Sequence, residues 1–180
     1  MPNVAGIGPI ARTLGNILAS EPLRHGALTV VPMLAPMLSE ARWLTLVEAG
    51  DQVRITEVDE AGAVPQLKVV NLTAQALLLL DGEELVGAKQ NRVLNTTVLV
   101  AAKSELTIPV ICVEQGRWGY RGRHFASSDA SLFASVRQKK AAWVTRSLRA
   151  GRGHMADQGG VWDELASKAA EHGVLSRGVG

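Results

Sequence analysis

Between residues 27 and 114, about seven short apolar or alternating segments follow one another, each stopped by a turn signal, with no helix-length insert. That rhythm argues against a parallel α/β sheet, whose strands need crossovers of a dozen residues or more. The segments are Leu28–Met33, Arg42–Val47, Gln52–Val58, Leu67–Val70, Ala76–Leu80, Val93–Ala101 and Leu106–Glu114. Gln52–Val58 alternates, with Val53 and Ile55 on one face and Arg54 and Thr56 on the other, as a half-buried strand does. Turns are expected at Glu60–Gly62 and Asn71–Thr73. The pattern predicts a mainly β fold: an antiparallel β-sandwich or barrel-like core of about seven strands, with an N-terminal helix and two C-terminal helices.

The flanks have helical spacing. Ile7, Ile10, Leu14, Ile17 and Leu18 form an amphipathic stripe that must dock on the main domain or on a partner chain. After the β region, Ser127, Ser128 and Asp129 offer helix N-caps. Leu132, Phe133, Val136, Lys140, Trp143, Val144 and Leu148 then share one broad stripe until Gly151 and Gly153. Asp157 caps a second helix carrying Val161, Trp162, Leu165 and Ala169, ended by Gly173, and the tail Ser176–Gly180 reads as short and flexible. The domain reading is a helical segment over 1–24, a β core over 25–126 and C-terminal helices packed on it over 127–180.

A chain of 180 residues can bury a core without disulfide or metal, and with 4% aromatics that core must be aliphatic. The one cysteine, Cys112, sits in the apolar run Val110–Val113 and reads as a buried thiol. No apolar run reaches the ~18–20 residues of a bilayer span, and the N-terminus does not read as a signal peptide, so a cytoplasmic setting is expected. Charge is uneven. Residues 1–116 hold eight Lys/Arg against twelve Asp/Glu, residues 117–152 nine against one, and residues 153–180 two against four.

Two stretches could carry chemistry. Asp81–Arg92 packs acids, Lys89, Arg92 and the amides Gln90 and Asn91 between apolar strands. Glu83, Glu84 and Lys89 are the candidate acid/base groups there, and Gln90, Asn91 and Arg92 candidate ligand-binding groups. The plain alternative is a solvated hairpin loop, though hairpins need only two to five turn residues. Glu114–Phe125 interleaves Arg117, Arg121 and Arg123 with Trp118 and Tyr120, a composition that can hold a phosphate and stack a ring. Its plain alternative is a linker. Glu114, Arg117, Trp118 and Arg123 join the binding set. His25, His124, His154 and His172 are isolated, so no zinc site is assigned; a carboxylate-held Mg²⁺ at Glu83 or Glu84 stays open. There is no Gly-x-Ser-x-Gly, Walker loop or dinucleotide fingerprint.

The block Leu79–Asn95, followed by Ile108-Pro109-Val110 and Cys112–Trp118, resembles a bacterial family, the ARG and rhodanese-phosphatase-superfamily-associated protein domain. The resemblance runs from about Leu28 to Trp162. The family name implies an association with ADP-ribosylglycohydrolases and phosphatases and states no activity. The resemblance also implies members that run past the second C-terminal helix, where further chain could complete a site. It favours reading both polar stretches as one site at one end of the β core. The expected function is binding or processing of a phosphate-bearing, ADP-ribose-like or nucleotide-like small molecule. The alternative is a non-enzymatic interaction module whose polar residues form a structural network. Catalysis and cofactor stay unassigned. Nucleic acid is disfavoured, since the basic residues make no known motif. No membrane role is expected, and a homo-oligomer or protein partner stays open.

Overall fold

Strands that bury every second residue can close on themselves, and six of them do so here. The structure, a computed structural model, describes residues 8–35, 42–58, 65–114, 119, 122 and 124–173. The expected turn at Glu60–Gly62 and the tail from Ser176 lie outside them. Two units divide the chain, 1–41 and 42–180.

In the first unit, α1 (Pro9–Gly15) opens with Pro at its start, where a missing N–H costs nothing. It is followed by β1 (Leu18–Ala19), β2 (Leu23–His25), β3 (Leu28–Val30) and β4 (Met33–Leu34). β2 pairs with β3 and β1 with β4, both antiparallel, so the four make one interrupted ribbon.

In the second unit, β5 (Trp43–Leu44) leads into α2 (Leu46–Ala49). The strand expected over Arg42–Val47 stops early because Thr45 and Glu48 form a capping box, each side chain taking the other's backbone N–H. Next come β6 (Val53–Glu57), β7 (Gln66–Asn71), β8 (Ala76–Leu79), β9 (Glu83–Gly87), β10 (Arg92–Leu94), β11 (Val98–Val100), β12 (Ser104–Cys112) and β13 (Phe125–Ser131). The helices α3 (Ala134–Arg149) and α4 (Gln158–Glu171) complete it. The barrel runs β10-β12-β7-β6-β13-β9 and closes back on β10, all neighbours antiparallel. β11, β8 and β5 form a separate three-stranded sheet in which β5 runs parallel to β8. The expected barrel-like core with N-terminal and C-terminal helices is therefore present.

Ile55, Leu67, Val69, Leu85, Leu94, Ile108 and Val110, each at most 1% exposed, belong to the inner core cluster, with Phe125 beside them. Each such side chain adds about 1.5–3 kcal/mol by leaving water. The opposite faces of β10 and β12 are buried too: Val93 and Ile111 pack with Leu132, Val136 and Val161 under α3 and α4. Among the described residues, no helix is long and apolar enough to cross a membrane.

Three expectations are corrected. Ser127, Ser128 and Asp129 do not cap a helix; they lie in β13, and the Ser127 and Ser128 hydroxyls donate to Glu83 and Glu84. α3 starts later, after Phe133, with no side-chain cap. The stretch Asp81–Arg92 is not one loop, because Glu83–Gly87 is a barrel strand paired to both β10 and β13. The α3 stripe is also narrower than expected. Val136, Lys140 and Val144 are buried, but Phe133 is half exposed and stacks on His172 with ring centroids 6.2 Å apart.

Candidate functional site

Antiparallel closure puts the ends of β6, β9 and β12 and the starts of β7, β10 and β13 at one end of the barrel. Side-chain alternation then decides what fills it. Glu57 follows Val53 and Ile55 on one face of β6, Arg92 precedes Leu94 on β10, and Cys112 follows Ile108 and Val110 on β12. All three therefore point inward, beyond the aliphatic core. Arg92 faces Cys112 on one side and Leu85 on the other in register, and is fully buried.

A buried guanidinium is costly unless its charge and its N–H groups are met. Its Nη1 donates to Gln90 Oε1 at 2.9 Å. Its Nη2 stands 3.7 Å from Glu57 Oε1, close enough for attraction and too far for a hydrogen bond. Among the described residues, Nε and Nη2 make no hydrogen bond.

Gln90 is shared. Its Oε1 also lies 3.1 Å from the Cys112 thiol, and its Nε2 donates to the Glu114 carbonyl at 2.9 Å. Burial pushes the Cys112 pKa up, outweighing the Glu114 carbonyl and the positive charge of Arg92, which pull it down. The shift favours the thiol form, which donates to Gln90. Glu114 also receives the Asn91 backbone N–H on Oε2 at 2.9 Å. On the barrel's outer face, Glu84 accepts from Asn91 Nδ2 at 3.3 Å and from Ser128 Oγ at 2.8 Å. Glu84, Val93, Leu132 and Leu165 help to line a hollow of about 290 Å³ there.

The turn that carries these groups is tightly built. Gly87 has φ +148°, and a Cβ there would lie 2.2 Å from the His124 carbonyl oxygen. Ala88 adopts φ +38° although it is not glycine, and Lys89 is 9% exposed. Strain of this kind is held only where the surroundings over-determine it.

The structure thus brings Lys89, Gln90, Asn91, Arg92 and Glu114 together, joining the second half of one polar stretch to the start of the other. Glu84 is tied to them from outside through Asn91. Glu83 is at the far end of β9, where it accepts from Leu80 N and Ser127 Oγ. Arg117, Trp118 and Arg123 lie outside the described residues; the strands before and after them, β12 and β13, end and begin at the Arg92 end. Glu57 escaped the sequence reading. Its signal was an acid in phase with Val53 and Ile55. Among the described residues, no three His, Cys, Asp or Glu side chains converge to hold a metal ion.

Neither a curated protein nor a solved structure matches the chain. One family model does, over residues 16–178, a span that includes the whole barrel and both C-terminal helices. The chain belongs to the ARG and Rhodanese-Phosphatase-superfamily-associated Protein domain family, ARPP-1.

Proposed function

We propose that the Arg92 end of the barrel binds a phosphate-bearing small molecule of the ADP-ribose or nucleotide type. The observation that carries this reading is Arg92 itself, a wholly buried guanidinium with two nitrogens that make no hydrogen bond among the described residues. A guanidinium's planar fork matches a phosphate, and burial strengthens the match. The chain between β12 and β13, two strands that end and begin at this same end, carries Arg117 and Arg123, which on this reading would supply charge, and Trp118, which would supply stacking. Gln90, Asn91 and Glu114 fix the rim. Glu84 lies on the outer face and Glu83 at the other end of β9, so the reading is one of binding, with catalysis left unassigned. A lone buried thiol is at home in a reducing bacterial cytoplasm.

A second reading, a non-enzymatic interaction module with a structural polar network, draws support from Asn91, Ser128 and Gln90, which already take up Glu84 and Glu114. Calorimetric titration with ADP-ribose, ADP and AMP separates the two. The first expects saturable binding that Arg117→Ala weakens about tenfold, or ~1.4 kcal/mol, with the melting temperature unchanged. Silence across that panel from folded protein sinks it and leaves the second.

A further inference from the structure

The first residue of α4 stands in for a strand. Val113 N donates to the Asn91 carbonyl, so the peptide groups of Ile111 and Val113 face β10 and those of Cys112, between them, face away. On that far side β7 pairs with β12 only as far as Gln66 opposite Pro109, and Pro65 takes the Val110 N–H. Cys112 is nonetheless wholly buried, where an unpaired N–H or C=O is costly. The Gln158 side chain meets both groups. Its Oε1 accepts from Cys112 N at 3.0 Å, and its Nε2 donates to the Cys112 carbonyl at 2.6 Å. A primary amide carries a donor and an acceptor side by side, as the edge of a neighbouring strand does.

What Gln158 holds leads on to the guanidinium. Cys112 stands opposite Arg92 in register, and its Sγ lies 3.1 Å from Gln90 Oε1 and 3.3 Å from the Glu114 carbonyl. That same Gln90 oxygen takes the Arg92 Nη1 hydrogen bond. A displaced Cys112 peptide would swing its thiol, and with it the amide that aims the Arg92 fork. α4 has other means of staying seated. Val161 is wholly buried among Val93, Ile111, Leu132 and Val136, and Asp157 caps the helix by accepting from Gly160 N. Seating the helix therefore does not rest on Gln158 alone.

We propose that Gln158 is a positioning residue for the Arg92 end: through Cys112 and Gln90 it sets the aim of the guanidinium toward a phosphate, an inference that rests on the nucleotide-binding reading above. Two readouts test it. Cys112 is the chain's one cysteine, so the S–H stretching band of the Raman spectrum reports its thiol alone. Gln158→Met keeps the length of the side chain and loses both polar contacts. It is expected to shift that band and to weaken ADP-ribose binding about fivefold by calorimetry. Val161→Ala loosens α4 without touching the amide; it is expected to lower the thermal midpoint and to leave band and affinity as in wild type. Should Gln158→Met fail to fold, Gln158→Glu keeps an acceptor for Cys112 N and loses the donor to its carbonyl, and it is expected to move both readouts the same way by less. A band that stays put in a folded Gln158 variant overturns the proposal, and so does a shifted band with affinity unchanged. Val161→Ala moving both readouts as far as Gln158→Met would reduce Gln158 to a helix tie and overturn it too. A wild-type chain silent to ADP-ribose sinks the binding reading instead, and the band alone then decides whether Gln158 sets the thiol and Gln90.

Discussion

The two ends of β10 each hold a buried cation, and they hold it differently. At the Leu94 end, α3 delivers Lys140, fully buried. Its ammonium donates to Asp81 Oδ1, to the Leu94 carbonyl at 2.8 Å and to the Asn95 carbonyl at 3.1 Å. Three donors meet three acceptors, and nothing is left over. At the other end, Arg92 has five N–H groups and, among the described residues, one firm hydrogen bond and one ion pair stretched to 3.7 Å. A saturated cation is an anchor, tying a helix to a barrel rim. An unsaturated one keeps binding capacity in reserve. That contrast is why the proposed site lies at the Arg92 end.

Removing Lys140 is the severest test of the contrast. Lys140→Ala takes the cation from Asp81 and removes the ammonium from the Leu94 and Asn95 carbonyls, of which Leu94 keeps the Gly82 N–H. Loss of one partner of a buried pair costs about 3–5 kcal/mol, and denaturant midpoints at constant slope would show it. Arg92→Met is expected to cost less, about 2–3 kcal/mol, because fewer bonds are broken. The sharper experiment adds Glu57→Leu to it. Apolar replacement of a whole buried pair is often neutral, so the double variant is expected to regain most of that stability while losing any nucleotide binding. If the double variant stays as weak as Arg92→Met, the two ends are equivalent anchors and the contrast fails.

The barrel was legible because its strands alternate. β6, β7, β8 and β12 each fall within or beside an apolar or alternating segment, and alternation survives wherever the outer face is polar. β9 was hidden because Glu83 and Glu84 open it and Gly87 ends it, so its apolar phase rests on Leu85 and Val86. β13 was hidden because serines serve caps and strands alike, and here the partner that decides is β9, some 40 residues away. Closure itself is a long-range property that no local pattern carries. The site was half legible for the same reason. Gln90, Asn91 and Arg92 stood out as polar residues beside apolar strands, and Lys140 as a cation on an apolar stripe. Glu57 and Cys112 became neighbours of Arg92 only through register.

Glycine substitutions probe how firmly each end is set. Gly87 lies at the Arg92 end, and a Cβ there meets the His124 backbone, which cannot swing aside. Gly82 lies at the Lys140 end with φ +83°, and its Cβ would meet Arg137 Cδ at 2.2 Å, the middle of a flexible side chain. Gly87→Ala is therefore expected to cost about 2–3 kcal/mol and Gly82→Ala about 1 kcal/mol. Thermal unfolding of both variants would rank them. The reverse order would show that the Arg92 end yields more readily than the Lys140 end.

The smallest effect is a slope with pH. Burial lowers the Lys140 pKa, with Arg137 adding to the shift and Asp81 opposing it. In the unfolded chain, lysine holds its proton to about pH 10.4. Between the lowered folded value and that limit, the unfolded state binds more protons, so stability contributed by Lys140 rises with pH. Lys140→Met has no proton to lose there. The stability difference between wild type and Lys140→Met should therefore move in favour of wild type as pH climbs from neutral through that window. A difference that is flat across the window would mean that Asp81 and the two carbonyls fully offset the burial of Lys140, and that its anchor is tighter than the lowered pKa implies.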